Sequence, residues 1–322
     1  MTLPNWAIPK DLLEFATKNL IDDADLRLGE IQAALGRKVS RWQWKTGHRA
    51  EAIGAFNEDG SFFQLRYLSG SPDGRRYDAA AQSGALTFFA DIPEKYRALI
   101  NQRQGISAPL SGSFWDWVGA TSSVPIFVAE GFAKSLSLIG IGYPSIAGFG
   151  AFGGVERNEY REFKRPIGKR KSGKRGGVMI EKVAIKPRLS KGLSEMARTN
   201  REFVLIPDMD SNPKTRRTVA IAFLHQARLL EARGCDIKIA WWDSSLGKGI
   251  DDVLAAHGAD VVHGILGAAL SPLEFELKVE TSFDLAVPNA IINSRDMQID
   301  APELPKEGLV FSDAIVGTGK TK

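Results

Sequence analysis

Cysteine is almost missing from this 322-residue chain. Cys235 stands alone, so the chain can form no internal disulfide and no cysteine-built zinc ribbon or finger. Long apolar runs are missing too. None approaches the roughly 20 residues that a membrane helix needs, although 43% of the residues are hydrophobic. The segment Met1–Lys10, with Pro4 and Pro9, lacks the charged-then-apolar layout of a secretion signal. The expectation is a cytoplasmic globular protein with no membrane partner. Histidine is scarce, and His48, His225, His257 and His263 have no metal-ligand spacing, which suits surface or packing roles. No internal repeat is visible.

Charge of one sign is concentrated rather than spread. The formal net charge is +4. Between Arg157 and Lys191, thirteen Lys/Arg face only Glu159, Glu162 and Glu181, a local balance of +10 that leaves the remainder at −6. The Lys/Arg/Gly stretch 164–177 is the single low-complexity segment.

Residues 1–38 have apolar residues near helical spacing, and Gly36 is a plausible stop. From Val39 to Leu68 the pattern changes to short β-like runs at 39–44, 52–56 and 62–67, the last two split by the turn signal Asn57-Glu58-Asp59-Gly60. This predicts an antiparallel meander. From Val124 onward, strand and helix patterns alternate as in a parallel α/β sheet. Strands are predicted near 124–129, 143–148, 203–207 and 236–242, with helices near 132–140, 214–233 and 250–257. Pro213 suits the first turn of the long helix and Gly234 its end. The chain divides into an α+β module over 1–118, an α/β domain over 119–270 carrying the basic insertion 157–191, and a proline-spaced segment over 271–322.

Two acidic stretches close apolar runs. Val124–Val128 leads to Ala129-Glu130-Gly131, and Phe203–Ile206 leads to Pro207-Asp208-Met209-Asp210. Parallel strands would deliver Glu130, Asp208 and Asp210 to one carboxyl-terminal edge, where open α/β sheets bind ligands. Asp208 and Asp210, two apart, share a face of an extended backbone. Clustered carboxylates repel one another, and a hard cation such as Mg2+ relieves that cost. A third element, Lys248-Gly249-Ile250-Asp251-Asp252, follows the predicted strand 236–242. Asp251 reads equally as a further metal ligand or as a helix-start charge, and Asp252 as the latter. The bland reading of Glu130, Asp208 and Asp210 is ordinary polar strand ends.

In that order, a Glu-Gly after one strand and an Asp-x-Asp after a later one resemble the Toprim domain of bacterial-type primases, topoisomerases and some nucleases. The similarity covers about residues 124–260. Glu130-Gly131-Phe132-Ala133-Lys134, the run Gly148–Gly154 and Gly249–Leu254 further resemble the primase-like half of cyanobacterial-type plasmid and phage replication primase-helicases. The resemblance implies a Toprim-like parallel sheet flanked by helices and preceded by a smaller α+β module. It assigns Glu130 as general acid or base or metal ligand, and Asp208 and Asp210 as holders of Mg2+ or Mn2+. The implied activity is synthesis of an RNA primer from nucleoside triphosphates on a single-stranded DNA template. Two alternatives remain open: a Toprim-type metal-dependent nuclease, and a non-catalytic nucleic-acid-binding replication module. Lys134 stands where many bacterial primases carry an acidic residue, so it could meet a nucleotide phosphate, or be an exposed helix lysine.

The basic insertion, with Lys169, Arg170, Lys171, Lys174 and Arg175, suits a phosphate backbone through counterion release, or a solvated loop. Arg66 and Arg76, interleaved with aromatics, are further candidates for contact with a single strand. Gly317-Thr318-Gly319-Lys320-Thr321 looks like a Walker A loop, with Ala314 in the place of its first glycine. This loop is expected to open a C-terminal helicase domain in a longer protein, so that the chain given is a fragment that does not hydrolyse ATP there.

Overall fold

The structure, a computed structural model, describes residues 7–19, 52–67, 76–79, 84–164 and 178–282. The predicted strand 39–44, most of the predicted 1–38 helical region, the cationic run Lys169–Arg175 and the Walker A-like residues lie outside the described residues.

The protein is α/β, with a parallel-containing sheet flanked by helices. Its main sheet has the order β11-β10-β6-β7-β5, built from β5 (Thr87–Phe88), β6 (Ile126–Glu130), β7 (Ser145–Gly148), β10 (Glu202–Ile206) and β11 (Asp236–Ile239). The first four strands in that order pair in parallel, and β5 closes the edge antiparallel to β7. β6 and β7 are buried at every position except Glu130, as strands covered on both faces are. Connecting helices supply the cover: α4 (Phe132–Gly140) between β6 and β7, and α6 (Pro213–Glu231) between β10 and β11. Asn212 starts α6 by accepting hydrogen bonds from the Lys214 and Thr215 N–H groups, with Pro213 in the first turn. After β11 come α7 (Ile250–His257), α8 (Ala259–Gly267) and α9 (Pro272–Ser282).

A second, antiparallel sheet has the order β1-β2-β3-β4, from Thr17–Asn19, Ala52–Phe56, Phe62–Tyr67 and Tyr77–Asp78. The expected meander of β2 and β3 is present. The helix expected across 1–38 is corrected within the described part: α1 (Lys10–Ala16) stops where Thr17–Asn19 pairs with Ile53–Ala55. Ladder hydrogen bonds to β2 thus replace another helical turn, a tertiary override of local periodicity. Between β5 and β6 in the chain come α2 (Glu94–Gln104) and α3 (Phe114–Ala120). Among the described residues, a hydrophobic core cluster runs from Ile8 to Val279. Its aromatic spine places Phe63 of β3 5.1 Å from Phe88 of β5, and Phe88 6.2 Å from Phe132 of α4.

The basic insertion is not a plain loop along its flanks. β8 (Val155–Lys164) and β9 (Val178–Leu189) form an antiparallel ribbon, with Val155 opposite Leu189 and Lys164 opposite Val178. Both Val155 and Leu189 are buried, so the ribbon is rooted in the core. Ten residues at about 3.3 Å each carry it on the order of 30 Å outward. It leads into α5 (Lys191–Met196). None of the helices among the described residues is long and apolar enough to cross a membrane.

Phe88→Ala is expected to cost about 3–5 kcal/mol by opening a cavity in the aromatic spine, whereas Leu277→Ala, at a site 49% exposed, should stay within about 0.5 kcal/mol. Chemical denaturation of both variants checks the contrast.

Candidate active site at the carboxyl edge of the sheet

Register determines what meets at the edge. Ala129 pairs with Ile206 across β6 and β10, so Glu130 and the Pro207–Asp210 segment leave the sheet side by side. Gly131 follows at φ +87°, a left-handed conformation that favours glycine, and its N–H donates to the Gly148 carbonyl at 2.9 Å. The turn aims α4 back over the edge. No side chain caps α4, which leaves its first N–H groups facing the carboxylates' side of the sheet.

Asp208 is 7% exposed, and its counter-ion is Lys134 of α4, with Nζ 3.0 Å from Asp208 Oδ1. The same ammonium donates to the Glu130 carbonyl at 3.1 Å. A second lysine, Lys248, lies 2.9 Å from Asp210 Oδ2 and 3.9 Å from Asp208 Oδ2. The loop carrying it is tied down by the Met209 N–H, which donates to the Lys248 carbonyl at 2.8 Å. Asp210 Oδ1 also accepts from the Asn212 N–H at 2.9 Å, and the Asp210 carbonyl accepts from Arg216 Nε at 2.7 Å. Asp251 arrives from the first turn of α7. Beside it, Asp252 accepts from the Gly249 N–H at 3.0 Å and is a helix cap, as its sequence position suggested.

These surroundings shift the titrations in opposite senses. Burial, and then the charge of Asp208, push the Glu130 carboxyl up to about 7, against the pull of Lys134, Lys248 and the Ala151 N–H. Burial also raises Asp251, opposed by Lys134. Asp210 is lowered, first by its hydrogen bond from Lys248 and then by the Asn212 N–H. For Lys134, burial acts against the charge, but Asp208, Asp251 and Glu130 outweigh it and the pKa rises. Lys248 is raised by Asp210. Glu130 is therefore suited to proton transfer near neutral pH, while Asp210 and both lysines remain charged.

The four predicted carboxylates share the edge, but two lysines are interleaved with them. Among the described residues, no three His, Cys, Asp or Glu side chains gather as a set able to hold a metal ion. The expected ligand set of Glu130, Asp208, Asp210 and Asp251 is thus not assembled around a common point. Its oxygen chemistry suits a hard cation, but Lys134 stands among the donors. Among the described residues, Glu130 Oε2 and Asp251 Oδ1 are buried without hydrogen-bond partners, an expense that a ligand donating to or coordinating them would relieve.

Of the predicted cationic residues, Lys134 joins the site. Arg66 lies in β3 against the Tyr77 hydroxyl, with its guanidinium 4.9 Å from that ring's centroid, and Arg76 is exposed beside β4. Three members of the neighbourhood escaped the sequence reading. Lys248 was visible only as part of an acidic motif. Gly249 matters because a Cβ there would come within 2.3 Å of Asp251 Oδ1 and 2.5 Å of Lys134 Cε. Gln64 of β3 is 4% exposed, its Oε1 has no hydrogen-bond partner among the described residues, and it lies 3.9 Å from where a Gly131 Cβ would be. Nothing in the period-two pattern of β3 signals that its neighbour is the Glu130 turn.

Two outcomes follow from this geometry. In wild type, Glu130 binds its proton more tightly when folded, about 7 against an ordinary 4.5, so its contribution to stability is lost as pH rises between those values. Glu130→Gln should therefore gain about 1–3 kcal/mol over wild type at pH 8 and nearly nothing at pH 4, read by denaturant titration at both pH values. Gly249→Ala displaces only side-chain ends, those of Lys134 and Asp251. It should fold with a loss of about 1 kcal/mol yet disturb the site, so that the pH dependence attributed to Glu130 moves while the melting transition hardly does.

A family model described as a domain of unknown function, DUF3854, matches residues 114–261. An uncharacterized protein of Picosynechococcus sp. (strain ATCC 27264 / PCC 7002 / PR-6), SYNPCC7002_B0001, is 29% identical over 216 residues. That alignment covers 65% of this chain and 19% of the relative, so the chain spans about a fifth of the length of the curated relative it matches. Among solved structures, the DnaG primase catalytic domain bound to single-stranded DNA is similar with a TM-score of 0.47 at 13% identity, over 87% of this chain and 77% of that one. The Aquifex aeolicus primase, zinc-binding and RNA polymerase domains, is similar with a TM-score of 0.45 at 13% identity, over 86% of this chain and 57% of that one.

Proposed function

We propose that this chain carries the nucleotidyl-transfer site of a primase-type replication protein, making RNA primers from nucleoside triphosphates on single-stranded DNA in the cytoplasm. The observation that carries the reading is a buried Glu130 carboxyl beside two ion-paired lysines at the carboxyl edge of a parallel sheet. Open α/β sheets bind ligands at that edge. Fixed cations and an uncapped helix start suit the oxygens of a phosphate. In the proposed step, the Glu130 carboxylate takes the proton of the primer 3′-hydroxyl. That oxygen forms a bond to the α-phosphorus of the incoming nucleotide, and the bond to the leaving pyrophosphate breaks. Asp208 and Asp210 would hold Mg2+ or Mn2+, which would offset the negative charge of the phosphates. Asp208 keeps Lys134 in place.

The β8–β9 ribbon and the cationic residues 169–175 between its strands would take the template's phosphate backbone, in a salt-dependent and sequence-tolerant way. Within the reading, 1–118 is an N-terminal primase-like module, 119–270 the catalytic domain, and 271–322 a linker leading to a helicase domain with the Walker A-like loop.

Incubation of the protein with single-stranded DNA and labelled nucleotides tests the proposal. Wild type should yield primers at a rate that rises with pH and levels off above about 7, the titration ascribed to Glu130. Glu130→Gln should be slower by about 10²–10⁴-fold and lose that rise. Shortened template strands without primers would instead make the protein a nuclease, and binding without either product a non-catalytic module.

A further inference from the structure

The carboxyl edge contains a cation of its own. Lys134 Nζ is 3.0 Å from Asp208 Oδ1 and 3.1 Å from the Glu130 carbonyl, and its Cε packs against Gly249, where the Asp251 carboxylate also arrives. The Lys134 side chain is 18% exposed, against 57% for Lys248. The two lysines therefore differ in kind. Lys134 is enclosed on three sides and could leave only by stranding Asp208 in a buried site without its counter-ion, a costly outcome. Lys248 lies over the rim and can move into solvent with its charge hydrated.

Charge balance separates them further. Glu130, Asp208, Asp210 and Asp251 against two lysines leave a formal −2 when all six are ionised. One divalent ion brings the edge to neutrality, and if it displaces Lys248 to solvent the edge remains slightly negative. A second ion beside an immovable ammonium would make it positive and would press two like charges together in a low-dielectric place. Asp208 directs one oxygen to each lysine, Oδ1 to Lys134 and Oδ2 towards Lys248. Only the Oδ2 side, shared with Asp210, faces a partner that can yield.

We propose that the Lys134 ammonium is a resident cation of this site, occupying the space between Asp208 and Asp251 that a bridging divalent ion would need. The protein therefore has room for one divalent ion, on Asp208 and Asp210 in place of Lys248. The inference deepens the nucleotidyl-transfer reading and rests on it for the class of ion, Mg2+ or Mn2+. Lys134 acts as a positioning residue for the carboxylates and as a substitute for a second metal.

Mn2+ titration followed by electron paramagnetic resonance counts bound ions without any turnover. Wild type should bind one Mn2+ per chain, lost in Asp210→Asn. Lys134→Ala should gain a second ion, or bind the first at least tenfold more tightly, while Lys134→Arg keeps the wild-type count. Lys134→Gln, closer in shape, answers the same question should the alanine variant fail to fold. Two ions in wild type, none in wild type, or an unchanged count and affinity in the neutral variants would each overturn the proposal. Primer synthesis is scored separately. The expected ion counts in a protein that makes no primers would sink the functional reading and leave this inference standing, and primer synthesis with two bound ions would do the reverse.

Discussion

The parallel pairing of β6 with β10 is the constraint on which the site depends. Four residue pairs, from Ile126 with Phe203 to Ala129 with Ile206, bring the ends of the two strands level. Both strands are apolar and buried, so the sheet can exit to polar residues only at its ends. A slip of one residue would move every β10 side chain to the opposite face and separate Asp208 from Lys134. The aromatic spine from Phe63 through Phe88 to Phe132 holds the antiparallel sheet against the same α4 that carries Lys134.

Gathering four carboxylates at one buried edge is unfavourable unless their charge is answered. The fold answers it in two unequal ways. Lys134 compensates Asp208 from within, and Lys248 compensates Asp210 from the rim. Glu130 is left short of both, and the result is a carboxyl raised to about 7 rather than a third ion pair. The chemistry of the site is thus a consequence of incomplete neutralisation: Asp210 is held as an anion by Lys248, and Glu130 is left able to exchange a proton near neutral pH.

Much of the fold was legible in the residues. The α/β alternation after Val124, the helix start at Pro213 and the turn between β2 and β3 all have local causes in burial pattern, backbone preference or turn chemistry. Glu130, Asp208 and Asp210 could be picked out because polar residues ending apolar strands stand out from their surroundings. The strand at Thr17–Asn19 was not legible, because its partner β2 lies over thirty residues away in the chain. The ribbon of β8 and β9 was hidden by its charge, since a solvated two-stranded ribbon lacks the apolar alternation that marks a half-buried strand. Gln64 did not stand out, and Gly249 did so only as part of an acidic motif, for a similar reason: their importance lies in what approaches them from other elements.

By itself, the sequence determined that this chain forms no internal disulfide, that it folds around a parallel sheet with helices, and that three acidic residues end up at strand ends. Those properties depend on composition and on neighbours within one or two turns. Only the tertiary structure decided that lysines, rather than a ready-made set of metal ligands, sit among the carboxylates. Ion pairing depends on distances of 3–4 Å between residues 74 positions apart, as for Lys134 and Asp208, and no local pattern encodes such a distance. Packing of α4 and the Lys248 loop over one sheet edge sets it.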